Sequence, residues 1–124
     1  MRCSRCGECC RDTRMELCGA DVARLERAGY RADDFSALGS DGVRRLRNVD
    51  GHCHFFDPES GRCREYARRP LGCVIYPVNL SEDGDVVVDE SCPEWNTVTE
   101  ADLEDKGRRL RLLVETIQSE ARRR

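Results

Sequence analysis

The opening ten residues, MRCSRCGECC, place sulfur at Cys3, Cys6, Cys9 and Cys10 in the spacing C-x-x-C-x-x-C-C. A two-residue spacer lets the backbone turn so that successive sulfurs converge on one ion or cluster, and soft thiolates suit zinc, Fe–S clusters and Cu(I). Residues 1–14 carry almost nothing but cysteine, arginine and small polar side chains, with no helical or alternating apolar period. They read as a loop shaped by whatever the sulfurs hold. Five more cysteines lie downstream at Cys18, Cys53, Cys63, Cys73 and Cys92.

A disulfide framework is the competing account of nine cysteines in 124 residues. It would need an oxidising compartment, and no apolar stretch of about 7–15 residues follows the first positive charge as in a secretory signal. The expected localisation is cytoplasmic. There thiols stay reduced, and an odd set of clustered cysteines points to metal binding.

A chain of 124 residues fits one domain, and one of that size buries about two thirds of its unfolded surface. With 39% apolar against 36% charged residues and one tryptophan, the core is thin, so bound metal is expected to contribute folding energy. The formal charge is −3 and arginines are interleaved with acids, which argues against nucleic acid or an anionic membrane as a partner. No stretch approaches the roughly 20 apolar residues of a membrane span. The expected partner is another protein.

Outward from the cysteine run, Val22, Leu25 and Ala28 recur at three-residue intervals, with Asp21 early and Gly29 placed to close the end, so a helix is expected near residues 20–28. Asp33 and Asp34 precede Phe35, Leu38 and Gly39, which suits a short helical turn. Asp50-Gly51 is a hairpin-type pair leading into Cys53-His54-Phe55-Phe56, and Asp57 to Gly61 is a turn by composition. A short helix is expected from Cys63 to Arg68, ended by Pro70. Val74, Ile75 and Val78, interrupted by Pro77, suit an edge strand, with Val86–Val88 pairing back across a turn at Ser81–Asp85.

The C-terminal third begins with a capping-box pattern, Thr99 to Asp102, and sets Leu103, Leu110, Leu113, Val114 and Ile117 on one helical face. The pattern predicts a helix over 100–121, weakened at Gly107 and packed over the metal-holding part. Its arginines share the helix with Glu100, Asp102, Glu104, Asp105, Glu115 and Glu120, so they read as a solvated face. The expected fold is small α+β: a cysteine-rich, metal-organised domain with short strands over residues 1–98, and a long C-terminal helix, residues 99–124, on the same domain.

Three cysteines at two-residue spacing with a distant Cys92-Pro93 match in part the ligand run of iron–sulfur proteins. Cys10 adjoins Cys9, and neighbouring side chains diverge in an extended segment, so one of the two serves a second site or another corner of a cluster. Eight cysteines would instead fill two closed zinc sites. His52 and His54 point to the face opposite Cys53 if the segment is a strand, and read as polar hairpin residues. Cys18, preceded by Leu17 and followed by a helix, reads as a small hydrophobe. Pro70 sets a turn, Arg69 is read as structural, and Tyr66 and Tyr76 as partial core.

The longer pattern runs from Cys3–Cys10 through Cys53-His54-Phe55-Phe56, Gly61-Arg62-Cys63-Arg64-Glu65-Tyr66 and Arg69-Pro70 to Cys73-Val74-Ile75-Tyr76-Pro77. It resembles the CxxCxxCC family of zinc- or iron-chelating or Fe–S-cluster domains over roughly residues 1–93. The resemblance implies Cys3, Cys6, Cys9, Cys10, Cys53, Cys63 and Cys73 as motif cysteines, with Cys92 a late one. This chain departs from the family in having Val74 in place of arginine and Glu65 in place of an apolar residue, which bears on that arginine's role and not on metal binding.

These readings lead to a cysteine-ligated metalloprotein that binds iron, as an Fe–S cluster, or zinc. It would serve in electron transfer, redox sensing or support of a partner enzyme. A structural zinc module displaying a surface for a partner is the alternative. No glycine-rich strand–turn–helix segment and no Ser/His/Asp or paired-carboxylate constellation marks an enzyme site.

Overall fold

The computed structural model describes residues 14–90, 92 and 94–123. The loop expected over the first residues, with Cys3, Cys6, Cys9 and Cys10, lies outside the described residues save for Arg14. From Arg14 onward the chain is a small α+β structure of short strands and a long final helix.

The chain enters through β1 (Glu16–Leu17) and turns into α1 (Gly19–Arg27). Cys18 is the residue before the first helical turn, and the Asp21 carboxylate accepts its N–H at 3.3 Å. The predicted helix is therefore present, one residue earlier than its apolar spacing implies. The short turn expected after Asp33 is α2 (Ala32–Phe35), but the chain then extends into β2 (Ser36–Leu38). Pairing decides that change: β2 lies antiparallel to β3 (Arg44–Leu46), with Ser36 opposite Leu46 and Leu38 opposite Arg44. β1 takes the other edge of β3, giving the order β1-β3-β2.

Three hairpins come next. β4 (Asn48–Val49) and β5 (His52–Cys53) close on Asp50-Gly51, both with positive φ, 52° and 81°. That is the doubly left-handed turn that matches strand twist and favours Asp-Gly. β6 (Phe56–Asp57) pairs with β7 (Arg62–Cys63) around the predicted Asp57–Gly61 turn. The helix expected from Cys63 to Arg68 is corrected here. Cys63 is spent on the strand opposite Phe56, and only Tyr66–Arg68 form a 3₁₀ turn.

The second correction lies after Pro70. In place of an edge strand through Val74 and Ile75, residues Leu71–Ile75 form α3, and the strand begins after Pro77 as β8 (Val78–Leu80). β-branched residues do not settle a segment this short when both helix ends are held from elsewhere in the chain. The third hairpin pairs β8 with β9 (Val86–Val88) across the Ser81–Asp85 turn, as predicted.

α4 (Glu100–Arg122) starts on the predicted box: Thr99 Oγ1 accepts the Asp102 N–H at 3.1 Å and the Asp102 carboxylate accepts the Thr99 N–H at 3.1 Å. Its exposed arginines pair along the helix, Arg109 with Asp105 at 3.2 Å and Arg108 with Asp105 at 3.4 Å. Gly107 is buried because the β8–β9 hairpin lies on it; a Cβ there would stand 3.2 Å from a Val86 methyl. At the far end the Gly19 N–H donates to both oxygens of the Glu120 carboxylate, at 3.1 and 2.9 Å, tying α4 to the start of α1.

The core has two halves. One gathers Leu17, Leu25, Phe35, Leu46, Cys53 and Phe55 between α1 and the hairpins. The other sets Leu110, Leu113 and Ile117 of α4 against Cys18, Ile75 and Val78. Ile117 is 4% exposed and Leu112, on the opposite face, 63%. Ile117→Ala should therefore lower stability by about 2–4 kcal/mol, the usual cost of truncating a core aliphatic. Leu112→Ala should change it little, with urea unfolding as the measurement.

Candidate metal centre

The four motif cysteines that can be placed come from four different parts of the fold. Cys53 ends β5, Cys63 ends β7, Cys73 is in the middle of α3, and Cys92 follows β9. Cys53 and Cys92 are buried, whereas Cys63 and Cys73 are half-buried. Cys53 belongs to the first core half, and Cys63 packs against that half. Cys92 donates its N–H to the Asp89 carbonyl at 3.3 Å, and its own carbonyl accepts the Trp95 N–H at 3.0 Å. Among the described residues, no three cysteine, histidine, aspartate or glutamate side chains stand together as a metal-holding group.

The donor chemistry nevertheless fits a metal–thiolate site. Cys53 Sγ accepts the Phe55 N–H at 3.4 Å, a bond that stabilises a thiolate. Phe55 is itself 2% exposed, and Tyr30 and Phe35 meet its ring at centroid distances of 4.9 and 5.5 Å, so one side of this sulfur is dry. Opposite Cys53 across the hairpin stands Asn48, whose Nδ2 and Oδ1 are shielded from solvent with no hydrogen-bond partner among the described residues. The segment that bears Cys3 to Cys10 joins the described structure at Arg14. Met15 is next, its thioether against Gly72 beside Cys73, and its carbonyl accepts the Leu46 N–H at 2.9 Å.

α3 carries Cys73, and both of its ends are held. At the start, the Asp21 carboxylate, 0% exposed, accepts the Leu71 N–H at 3.0 Å and the Arg24 guanidinium at 2.8 Å. Arg24 reaches on to the Arg69 and Arg68 carbonyls at 3.1 and 3.4 Å. At the end, Lys106 of α4 donates to the Val74 carbonyl at 3.1 Å and lies 3.5 Å from that of Ile75, where a cation also complements the helix dipole. Lys106 is the single lysine among 21 basic residues. That isolation, with one methylene-rich stem among arginines, was the available sequence signal for it. Asp21 offered none beyond its early position in α1.

The two histidines and the residues near the family motif find plain structural uses. His52 stacks on Phe56 at 4.0 Å between ring centroids and His54 meets Phe55 edge-on, so both imidazoles pack on aromatic rings. Arg69 lies over the Tyr66 ring at 4.0 Å and donates to the Tyr66 carbonyl at 2.8 Å, the structural use expected of it. Glu65, one of the two departures from the family pattern, accepts the Tyr30 hydroxyl at 2.7 Å and pairs with Arg68. It is a polar clasp between the loop after α1 and the 3₁₀ turn. Cys18 is 3% exposed within the second core half, in keeping with a small hydrophobe.

Asp21→Ala strands the Leu71 and Cys18 N–H groups and removes the carboxylate partner of Arg24, and should cost about 2–4 kcal/mol in urea unfolding. Burial pushes the Cys18 thiol up from its ordinary value of 9.0. The unfolded chain therefore releases this proton first, so the stabilisation is complete below pH 9.0 and is lost as pH rises through the higher folded value. The stability difference between wild type and Cys18→Ala should shrink over that alkaline range.

No curated protein and no solved structure matches this chain. One family model does, over residues 2–93, and its description is "Putative zinc- or iron-chelating domain". The match takes in every motif cysteine from Cys3 to Cys92, together with the hairpins and α3 that position the last four. By that coverage the chain belongs to the CxxCxxCC family of zinc- or iron-chelating domains.

Proposed function

We propose that this protein uses Cys3, Cys6, Cys9, Cys10, Cys53, Cys63, Cys73 and Cys92 to hold iron as an Fe–S cluster, in the cytoplasm, for electron transfer, redox sensing or support of a partner enzyme. The observation that carries the reading is the state of Cys53: a buried sulfur that already accepts a backbone N–H at 3.4 Å, inside a family of metal-chelating domains. The C-x-x-C-x-x-C run at Cys3–Cys9 and the late Cys92 favour a cluster, since such a run supplies three sulfurs from one tight loop and the last from a distant position.

An Fe–S cluster supplies one-electron exchange near a potential set by its charge, its solvent exposure and the hydrogen bonds to its sulfurs. The residues of this chain supply the surroundings. Phe55 donates to Cys53 and walls it with Phe35 and Tyr30, while Asp21, Arg24 and Lys106 fix the helix that bears Cys73. Cys63 and Cys73 are each half-buried and so more accessible than Cys53 and Cys92.

Zinc is the second reading, favoured by the eight motif cysteines, which equal two four-sulfur sites. Metal analysis and visible absorption of anaerobically purified protein separate the two. Bound iron with a sulfur-to-iron charge-transfer spectrum is expected. Colourless protein with stoichiometric zinc overturns the iron reading, and protein with neither metal overturns both. Within the series, Cys3→Ser, Cys6→Ser, Cys9→Ser and Cys53→Ser should each deplete bound metal, and Cys18→Ala should leave it nearly intact.

A further inference from the structure

Asn48 stands out among the described polar residues. The two fully buried polar side chains are satisfied: Asp21 accepts three donors, and Ser36 donates to the Ala32 carbonyl at 2.6 Å while accepting from Arg44 at 3.1 Å. Asn48 has both amide atoms shielded and neither bonded among the described residues. Native structures leave few such groups, and those they leave tend to serve an ion, a water or a reaction.

Its register says which atom it serves. Asn48 and Cys53 are direct partners across the β4–β5 hairpin. The next pair outward exchanges a backbone bond, His54 N–H to the Arg47 carbonyl at 2.8 Å, so Asn48 and Cys53 occupy the position without ladder bonds, where side chains stand closest. Cβ atoms in such a pair are about 4.5–5.5 Å apart and on one face of the ribbon. A carboxamide is long enough to bring its NH₂ to the opposing sulfur. A thiol is a weak acceptor and does not hold it; a thiolate, charged and metal-bound, is a strong one.

We propose that Asn48 is a positioning residue of the metal centre, whose Nδ2 donates to the Cys53 thiolate once that sulfur is a metal ligand, an inference that rests on the reading of Cys53 as a ligand. With the Phe55 N–H already on the same sulfur, two donors then converge on Cys53. They draw charge from it, lower the energy cost of the bound thiolate and shift the metal–sulfur bond toward weaker donation.

The test uses the full chain and Co(II) alone as a probe of thiolate coordination, with wild type, Asn48→Leu and Asn48→Ala compared under anaerobic conditions. Asn48→Leu keeps the volume and removes both orphan atoms, so its metal-free urea midpoint should be no lower than that of wild type. Its Co(II) affinity should fall about 10-fold or more, and the sulfur-to-cobalt charge-transfer band should move to lower energy. Asn48→Ala, which cannot overpack the site, should reproduce the affinity loss and the band shift. Unchanged affinity and band in both variants would overturn the proposal, as would an affinity loss that only tracks a lowered urea midpoint. Failure of wild type to bind Co(II) through sulfur would instead sink the ligand reading itself, and the role of Asn48 with it.

Discussion

A carboxylate with no exposure to solvent holds this small fold in register. Asp21 sits in the first turn of α1, where it accepts the Cys18 N–H, and its other oxygen receives both Arg24 and the Leu71 N–H, 50 residues away. A charge removed from water is tolerated only when the lone pairs it presents have donors, and here three donors converge. The result is a junction at which the first helix, the 3₁₀ turn and the cysteine-bearing α3 share one fixed point. Without it the start of α3 would have no acceptor for its first amide and no reason to sit beside Met15.

That junction divides the labour between the two core halves. On one side, Phe35, Phe55 and Leu46 bury Cys53 and set the hairpins; on the other, the apolar stripe of α4 buries Ile75 and Val78. Each half is too small to be an independent domain, and each contributes motif cysteines or supports the helix that carries one. The helix that carries Cys73 thus depends on packing whose last element is Glu100–Arg122, outside the family-matched range of residues 2–93. The long helix is therefore part of the frame that holds the Cys73-bearing helix, through Lys106 in particular.

Much of this frame was legible in the chain. Local signals succeeded wherever the determinant lay within a few residues: the Thr99–Asp102 box, the Asp50-Gly51 turn, the Ser81–Asp85 reversal and the apolar stripe of α4 all specify their own geometry. They failed where the determinant was distant. Val74 and Ile75 have strand-forming side chains, but Asp21 and Lys106, 50 and 32 positions from their partners, make Leu71–Ile75 a helix. Cys63 looked like a helix start because nothing nearby reveals that Phe56 lies opposite it. Around Cys53, cysteine spacing marked the candidate donors, whereas Asn48 carried no signal: its place opposite Cys53 comes only from the register.

The contact between Glu120 and the Gly19 N–H joins residues 101 apart in sequence. Closing so wide a span is entropically slow, and the last turn of α4 must have left the ribosome before it can be made. The cysteines ahead of Gly19 are synthesised before all of the intervening chain. During that interval a domain of this metal-chelating family lacks its closed frame, so the timing of loading against translation matters as well as the affinity of the finished protein.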